Sequence, residues 1–482
     1  MFLRQYYWKL RTRRYPFVFI VFILTCILYF YNFYTTNSLD TVPSYKSKCN
    51  FEFAKHLIEN MCSLNKENKD MIVGNICSDI CDPKNLYEFY KNYRLSDCYV
   101  KPQDKDRQFF TESKSVLIYE LQDKTENSDQ NQPKKLVFKS SNKYYLDFDT
   151  HLDYDFRQKT ILEQLEYLQN FIDSTLYTKF DIQIDKKYFQ TWSNQYTKDP
   201  IDAVEQIKKS IQENNLNYYV KLFDTDNFDY YLDALKNSNK EKLSSFIQSF
   251  IILTSQDEYL FYRFYQKKPG ALRIYGSCGH FYMVEYAQPL TYKVRFMNNI
   301  NERKILALQF LDLFHNLDRT YLLHKNNNNS LQSQPVQMCD VKLDNFGLNH
   351  NGELRIIDTD MASSDSYLFS SRVCRTHDDC HFFDCKSFCD LESKRCIKKR
   401  INNNLQVLCE KIFDNNLNKK DGILTGVNFE SNIHNEIMNK LDKCKRPGFY
   451  KNSDVPKLAS DRLFRAFNVL LRDNGIKLEN KQ

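Results

Sequence analysis

Glycine is scarce in this sequence, and its distribution excludes two kinds of binding loop. The 482 residues include ten glycines, and none lies between Gly74 and Gly270. That stretch therefore has no glycine-rich loop to close on phosphates with its backbone amides, because such tight turns need residues that tolerate positive φ. The acidic group Asp224, Asp226 and Asp229 lacks the central glycine and terminal glutamate of an EF-hand. We expect no intact calcium loop there, and the sequence gives no support for calcium dependence.

A strong charge imbalance is also missing from the bulk of the chain. The formal net charge is +7, but five basic residues precede the first long apolar run with no acidic residue among them. Without these five charges the remainder carries only +2, too little for the electrostatic footprint of a nucleic-acid-binding surface. We therefore expect no nucleic-acid partner. The five residues are Arg4, Lys9, Arg11, Arg13 and Arg14.

Residues 15–34, YPFVFIVFILTCILYFYNFY, form an uncharged run of the length that crosses a bilayer as a helix. Basic residues precede the run and tyrosines crowd its far end, which agrees with the positive-inside rule and the aromatic belt. No small-residue cleavage site follows, so we predict an uncleaved signal anchor. The predicted topology is single-pass type II. Residues 1–14 are cytosolic, and the chain from a polar stalk at 35–48 onward is luminal.

The cysteines agree with that topology. Fifteen are present, and Cys26 lies in the predicted span, which leaves an even number on the luminal side. An even number in an oxidising compartment favours disulfides, and the second of two clusters lacks the C-x-x-C pairs typical of zinc sites. We therefore predict disulfides rather than zinc. The clusters are Cys49, Cys62, Cys77, Cys81 and Cys98, then Cys374, Cys380, Cys385, Cys389 and Cys396.

The stretch CDVKLDNFGLNHNGELRIIDTDM, residues 339–361, carries the strongest chemical signal. Two apolar runs flank an Asn-Gly pair, which predicts a β-hairpin with a tight primed turn. Phosphoryl transfer from Mg-ATP needs a carboxylate to accept the hydroxyl proton, and an amide and a second carboxylate to hold metal. The alternative is a surface hairpin with solvated ends. The polar residues at the ends of the two strands are Asp340, Lys342, Asn345 and Asp358.

Three further segments extend this pattern. Lys139 ends the apolar β run KLVFKS, where a kinase places the lysine that pairs with ATP phosphates, although a strand-terminal lysine can also be merely solvated. The amphipathic segment 161–172 offers Glu163 or Glu166 as a partner for that lysine. The sequence does not choose between them, and the alternative is that both face solvent. Glu285 ends the strand pattern FYMVE, which we expect to lead into the hinge of a two-lobed domain.

Several of these features together resemble one family, the divergent protein kinase domain family. Its members are cysteine-rich type II membrane proteins of the endoplasmic reticulum with a kinase-like luminal domain. The resemblance covers most of the chain after the tail. It is carried by the anchor, the luminal cysteines, GSCGHFYMVE at 276–285, CDVKLDN at 339–345 and CRTHDDCHFFDCKSFCD at 374–390.

The resemblance implies a role for each residue singled out above. Asp340 is the implied proton acceptor, and Lys342 would neutralise the transferred phosphoryl group. The implied cofactors are ATP and Mg or Mn. Their implied binding residues are Lys139, Glu285, Asn345 and Asp358, of which the last two would be the metal ligands.

The sequence also departs from the kinase pattern. Met338-Cys339 stands where kinases have His-Arg, and Asp358-Thr359-Asp360 replaces D-F-G, which removes the phenylalanine and adds a carboxylate. No A-P-E motif follows, because the second cysteine cluster occupies that place. We expect the cluster to lock this segment covalently.

The order of elements predicts an α+β fold, a two-lobed protein-kinase-like domain. Strands are followed by a helix, further strands, a long helix, the hairpin and a set of helices. The predicted units are a cysteine-rich N-terminal extension at 49–106, a small lobe with a helical insertion at 107–287, and a large lobe at 288–482. The cysteine-rich segment replaces the activation loop.

Two functions are compatible with these observations. The first is a membrane-anchored kinase that binds Mg- or Mn-ATP and phosphorylates secretory-pathway proteins or glycans. The second is a pseudokinase acting as a luminal binding or regulatory module, which the missing glycine loop and D-F-G favour. A cysteine-rich structural or adhesion protein would leave the carboxylate–amide set unexplained. The expected location is the endoplasmic reticulum membrane, with the Golgi as alternative, and Asn328-Asn329-Ser330 is an expected glycosylation sequon.

Overall fold

The computed structural model describes the chain between residues 51 and 469 with gaps. The described residues are 51–67, 74–100, 114–122, 134–141, 159–160, 163–164, 166–167, 170–171, 174, 240–266, 268–319, 322–325, 331–334, 336–364, 368–369, 372–414, 422–425, 431–445, 465 and 469. The predicted tail, span and stalk over 1–48, the acidic group at 224–229 and the sequon at 328–330 lie outside them. Among the described residues, no helix is both long enough and apolar enough to cross a membrane.

A five-stranded antiparallel sheet is the framework of the first lobe. Its strands are β1 (Tyr93–Val100), β2 (Lys114–Leu121), β3 (Lys135–Ser141), β4 (Ile274–Cys278) and β5 (Phe281–Glu285). Their spatial order is β1-β2-β3-β5-β4. Burial alternates along β2 with the period of two that a pleated strand imposes. The sheet therefore begins at β1, inside the segment that the sequence assigns to the N-terminal extension.

Three helices near the N-terminal end of the described chain cover one face of the sheet. They are α1 (Phe51–Glu67), α2 (Cys77–Cys81) and α3 (Pro83–Asn92). α3 begins after Asp82, whose carboxylate accepts hydrogen bonds from the backbone N–H groups of Lys84 and Asn85, and Pro83 fits the first helical position. The shared core includes Ala54, Ile58, Met61, Leu117, Tyr119 and Phe138.

Two disulfides fasten this N-terminal part. Cys62 is bonded to Cys81, and Cys77 is bonded to Cys278 at the end of β4, a residue 201 positions away in the sequence. The second bond joins α2 to the edge strand of the sheet. The N-terminal extension is therefore covalently part of the same lobe.

The other face of the sheet packs on two consecutive helices, α4 (Lys240–Ser255) and α5 (Asp257–Phe264). α4 is buried around most of its circumference, and its buried residues include polar ones such as Ser244 and Gln248, so it lacks a strongly amphipathic pattern. Val137 of β3 and Val284 of β5 join the core that these helices form with Phe250, Tyr259 and Tyr262. We call β1–β5 and α1–α5 the small lobe.

The large lobe, residues 288–445, is built on two consecutive helices, the short α6 (Leu290–Phe296) and the long α7 (Ile300–Arg319). α7 packs against the strands β10 (Phe346–Leu348) and β11 (Leu354–Ile356), which with β6 (Gln288–Pro289) form a three-stranded sheet. Short strands β7 (Leu322–Lys325), β8 (Leu331–Gln334), β9 (Gln337–Met338) and β12 (Ala362–Ser363) lie around them.

The end of the large lobe is helical, in agreement with the predicted pattern. Its elements are α8 (Asn404–Leu408), a π-helical turn (Cys409–Asp414) and α9 (Ser431–Lys445). Asn403 and Gln406 form a reciprocal capping box at the start of α8. A disulfide between Cys409 and Cys444 joins the π-helical turn to α9. After α9 the structure describes only residues 465 and 469.

The predicted hairpin is confirmed, but its turn differs from the primed two-residue type. Phe346 pairs with Ile356 and Leu348 with Leu354, which leaves a five-residue connection. Gly352 has a φ of 75°, whereas Asn351 is not among the described residues of positive φ. The Asn349 side chain explains the difference, because its Oδ1 accepts hydrogen bonds from the N–H groups of Asn351 and Glu353 at 3.0 Å. This side chain takes over hydrogen bonding that a tight turn would leave to the backbone.

The cysteine-rich segment is a small disulfide-bonded unit. It contains the short hairpin strands β13 (His381–Phe382), β14 (Cys385–Lys386), β15 (Cys389–Asp390) and β16 (Arg395–Cys396). Its bonds are Cys374–Cys389, Cys380–Cys396 and Cys339–Cys385. Every described cysteine of the chain is disulfide-bonded, including Cys98. The prediction of disulfides rather than zinc is therefore confirmed for the described cysteines.

Candidate active site

Lys139 forms a buried ion pair with Glu258. The ammonium lies 3.2 Å from both carboxylate oxygens, and the two side chains are 9% and 5% exposed. Glu258 belongs to the first turn of α5, and it also accepts a hydrogen bond of 3.1 Å from the hydroxyl of Tyr282. The ring of Tyr262 lies under the ammonium, with 5.5 Å from Nζ to the ring centroid. Lys139 is therefore a held, desolvated cation and not a solvated strand end.

The two glutamates that the sequence offered as partners of Lys139 are not its partners. Glu163 and Glu166 are both exposed. The carboxylate of Glu163 accepts hydrogen bonds from the backbone N–H and the hydroxyl of Thr160 at 2.7 and 2.8 Å, which is a local helix cap. The solvent-facing alternative therefore holds, because the glutamate that pairs with Lys139 comes 119 residues later in the chain, beyond the inserted segment.

Lys139 also reaches across to the large lobe. Its ammonium donates a hydrogen bond of 2.7 Å to the carbonyl oxygen of Ile357, directly before Asp358. Tyr262 adds a second link, because its hydroxyl donates to the carbonyl oxygen of Ile356 at 3.2 Å. These contacts bring the end of β11, and with it Asp358, to the lysine–glutamate pair.

A second lysine lies at the same point. The Lys114 ammonium is 3.1 Å from Asp358, 2.6 Å from Asp360 and 3.3 Å from Glu258, and its side chain is 14% exposed. The site therefore joins the carboxylates of Glu258, Asp358 and Asp360 to the ammonium groups of Lys114 and Lys139.

The charges of this cluster shift the pKa values of its members in opposite directions. Burial alone would lower the pKa of Lys114, but the charges of Asp358, Asp360 and Glu258 raise it well above its ordinary value. Burial would raise the pKa of Asp358, but Lys114 and Lys139 hold it below its ordinary value. Burial, with the charges of Asp358 and Glu258, raises the pKa of Asp360 despite the opposing effect of Lys114. Asp360 is thus the carboxylate least well compensated by positive charge.

The predicted catalytic residues meet at the start of the hairpin. The Lys342 ammonium lies 2.7 Å from Oδ2 of Asp340. The Asn345 amide donates to the backbone carbonyl and to Oδ2 of Asp340 at 2.7 and 3.0 Å. Burial acts to lower the pKa of Lys342, but the hydrogen bond to Asp340 and the charges of Asp340 and Asp358 raise it.

Glu285 lies apart from these residues. Its carboxylate accepts hydrogen bonds from Arg355 Nε at 3.2 Å, from Asn349 Nδ2 at 3.0 Å and from the backbone N–H of Arg273 at 2.9 Å. These partners join β5 to the hairpin next to the connection between the lobes. The described contacts of Glu285 are with protein groups, and its predicted contact with nucleotide stays a prediction.

Cys339, which stands in the place of the kinase arginine, is bonded to Cys385. Around this bond, the N–H of Asp384 donates to the carbonyl oxygen of Cys339 at 2.8 Å, and Asp384 Oδ2 accepts from the N–H of Val341 at 2.7 Å. The loop carrying Asp340 is therefore fixed covalently to the cysteine-rich segment. A phosphorylation-sensing arginine has no place in this arrangement.

The residues that the sequence reasoning missed are Glu258 and Lys114, and Asp360 was noted only as an added carboxylate. Glu258 had a usable signal, the acidic pair at the start of an amphipathic helix before the strand at 274–278. Lys114 had none, because a lysine at the start of a strand is ordinary. Only the folded sheet brings it opposite Ser141 and beside Lys139.

The donor set of the site suits a hard divalent cation. One oxygen atom from each of Glu258, Asp358 and Asp360 lies within 4.8 Å of the others. Oδ1 of Asp360 is buried and has no hydrogen-bond partner among the described residues. Oxygen-only ligands are those that Mg²⁺ and Mn²⁺ prefer, so these three carboxylates fit the metal that the resemblance implies.

The fold and the site together define a kinase-like domain of mixed helix and strand with several disulfides. Residues 250–447 match a family model described as the protein-kinase domain of FAM69. The match supports a divergent kinase-like family and so confirms the resemblance that the motifs carry. The match includes Glu258, Asp340 and Asp358, whereas Lys114 and Lys139 precede it. No solved structure matches the chain.

A buried histidine beside the site predicts acid sensitivity of the fold. His280 is 3% exposed, its Nδ1 lies 2.5 Å from the hydroxyl of Ser140, and burial lowers its pKa from 6.5 to about 3. The unfolded chain then binds a proton below pH 6.5 that the folded protein excludes until about pH 3. We expect this group to reduce the free energy of unfolding by about 2 kcal/mol at pH 5 relative to pH 7.5.

Urea denaturation of the wild type and of His280→Gln at the two pH values checks this expectation. The variant has no titrating group at this position, so its loss of stability between pH 7.5 and 5 is expected to be smaller by that amount. An equal loss in both proteins would show that His280 does not carry the effect.

Proposed function

We propose that this protein binds ATP with Mg²⁺ or Mn²⁺ and transfers a phosphoryl group to a hydroxyl group of a secretory-pathway protein or glycan. The observation that carries the proposal is the convergence of Lys139, Glu258 and Asp358. In protein kinases, a strand lysine paired with a helix glutamate must stand together with the metal-binding aspartate for transfer to occur. Here Lys139 contacts Glu258 at 3.2 Å, and it contacts the carbonyl oxygen of Ile357, directly before Asp358, at 2.7 Å.

In the proposed reaction Asp340 accepts the proton of the attacking hydroxyl group. Asn345 holds this carboxylate through its Nδ2, so its amide oxygen is the atom that would serve as a metal ligand beside Asp358. Lys342, already paired with Asp340, would neutralise the transferred group. The metal ion, when bound, would neutralise charge on the phosphate oxygens.

We also propose that the domain works on the luminal side of the endoplasmic reticulum membrane, anchored by residues 15–34. The uncharged run and its basic flank support the anchor. The disulfide-bonded state of every described cysteine supports an oxidising compartment, because such bonds are rare in the cytosol.

The second candidate is a pseudokinase that acts as a binding or regulatory module. The observation that favours it is the ion pair between Lys114 and Asp358, which engages the predicted metal ligand within the protein. The missing glycine loop points the same way. This candidate differs from the first in phosphoryl transfer, not in fold.

The deciding experiment compares the full-length protein with Asp358→Ala in metal-dependent ATP turnover and thermal shift. We expect Mg- or Mn-ATP to raise the melting temperature of the wild type, because a ligand that binds only the native state stabilises it. The variant is expected to lose both the shift and the turnover. Asp340→Asn is expected to keep the shift and to lose turnover by about 10²- to 10⁴-fold, since it removes the proton acceptor.

Asp378→Ala is the matched control, because the side chain of Asp378 is 92% exposed and lies away from the lysine–carboxylate cluster. It is expected to behave as the wild type. Nucleotide-dependent stabilisation without turnover would support the pseudokinase. The absence of both from the wild type would overturn nucleotide binding.

A further inference from the structure

Lys114 occupies the centre of the carboxylate group in a way that the proposed reaction does not use. Its ammonium contacts Glu258, Asp358 and Asp360 at 2.6 to 3.3 Å. Lys139, by contrast, contacts Glu258 and a backbone carbonyl oxygen. The two lysines therefore have different partners although they stand side by side.

The geometry of the sheet explains how both lysines reach one point. Val116 is paired with Lys139 across β2 and β3, and Lys114 is paired with Ser141. Because side chains alternate along a strand, Lys114 projects from the same face as Val116. It is also the first residue of β2, directly after residues 101–113, which join β1 to β2. In a kinase this connection is the loop that covers the ATP phosphates, and here it contains no glycine.

An ammonium group and a divalent cation compete for the same carboxylate oxygens. Asp358 is the predicted metal ligand, and it already contacts the Lys114 ammonium at 3.1 Å. Two positive centres at contact distance repel each other strongly in a site of low solvent content. Loading of the metal on Asp358 therefore requires Lys114 to leave.

Once displaced, the Lys114 ammonium is expected to bind the phosphate groups of the nucleotide that binds with the metal. A lysine is a flexible point charge with three donors, and phosphate oxygens are its usual ligands. Lys114 is the first residue of β2, and its long side chain has four rotatable bonds.

We propose that Lys114 is an internal cation that fills the metal position of the nucleotide-free protein and moves to the ATP phosphates when the metal binds, where it replaces the amides of a glycine-rich loop. This inference rests on the proposed binding of metal and ATP. It assigns to Lys114 two consecutive partners, first carboxylate and then phosphate.

The test uses the full-length protein in detergent and compares the wild type, Lys114→Met and Lys135→Met. Methionine keeps the length of the side chain and removes its charge. Lys135 is the matched control, because it lies on the same sheet but pairs with Glu120 at 3.3 Å, outside the site. Dissociation constants are measured for Mn²⁺ alone by the electron paramagnetic resonance of free Mn²⁺, and for Mn²⁺ with a non-hydrolysable ATP analogue by calorimetry.

Lys114→Met is expected to change the two constants in opposite directions. Mn²⁺ alone should bind roughly tenfold more tightly, because the competing ammonium is gone. The Mn-nucleotide complex should bind roughly tenfold more weakly, because a phosphate contact is lost. Lys135→Met should match the wild type in both measurements.

Other outcomes overturn the inference. If Lys114 has a purely structural role, its replacement would raise both dissociation constants. If Lys114 has no role in binding, its replacement would change neither of them. If Lys114→Met does not fold, the test uses Lys114→Arg, which keeps the charge. This variant is expected to bind Mn²⁺ alone as weakly as the wild type does. Tight binding of Mn²⁺ by Lys114→Arg would contradict the inference. A wild type that binds no nucleotide refutes the proposed function, whereas a wild type that binds it with unchanged constants in Lys114→Met refutes only the role of Lys114.

Discussion

Replacement of Glu258 with glutamine is expected to lower the free energy of unfolding by about 3–5 kcal/mol, the usual cost of removing one partner from a buried ion pair. Glu258 is 5% exposed at its side chain and compensates two ammonium groups, those of Lys139 and Lys114. It also accepts the hydroxyl hydrogen of Tyr282. Glutamine preserves the shape and leaves both buried lysines short of negative charge.

The same change is expected to weaken nucleotide binding, because Lys139 loses the partner that orients it. Urea denaturation measures the loss of stability, and thermal shift with Mg-ATP measures the loss of binding. Recovery of part of the stability in the double variant Glu258→Gln, Lys114→Met would show that uncompensated positive charge is the cause.

Glu88→Gln is the control for this prediction. Glu88 also forms an ion pair, with Lys91 at 3.2 Å, but both side chains are more than half exposed. Exposed pairs of this kind contribute about 0–1 kcal/mol. A loss from Glu258→Gln no larger than the loss from Glu88→Gln would contradict the buried character of the site.

Removal of the disulfide between Cys77 and Cys278, by changing both residues to alanine, is expected to lower the free energy of unfolding by about 2–5 kcal/mol. The bond closes a loop of 201 residues, which includes the insertion between β3 and α4. In the chain-entropy account, a cross-link over a long loop restricts the unfolded chain most. Denaturation of the oxidised proteins measures the difference.

The Cys374–Cys389 bond provides the comparison, because it closes a loop of only 15 residues. Loop-closure entropy predicts a stabilisation smaller by about 2 kcal/mol for this bond. In the variant that lacks the Cys77–Cys278 bond, we expect the small lobe to unfold first, with loss of the contact between α2 and β4. An equal loss from the two pairs would indicate that strain and local packing, rather than loop length, govern these bonds.

Local patterns in the sequence were enough to predict the elements that carry the chemistry. Apolar runs and turn signals predicted β3, β5 and the hairpin within one or two residues, because the ends of a strand are set by turn residues. The spacing from Asp340 to Asp358 follows from the length of that hairpin. Cysteine number and context predicted the disulfide-bonded state, although not the pairing.

The turn of the hairpin shows how far such signals extend. The Asn-Gly pair predicts a tight primed turn, but the side chain of Asn349 binds two backbone N–H groups and supports a longer connection. A hydrogen bond from a side chain to a nearby backbone can thus override the preference of a dipeptide. The position of the turn was predictable, and its geometry was not.

The sequence by itself determined the kinase-like class, the residues of the hairpin and the choice of Lys139 in β3 as a candidate. Only the tertiary structure decided which acid pairs with that lysine, which cysteines bond, and that Lys114 stands among the carboxylates. The contacts concerned join residues 119, 201 and 244 positions apart. Periodicity and turn chemistry act over a few residues, whereas the choice among distant partners depends on which faces of helices and strands are buried against each other.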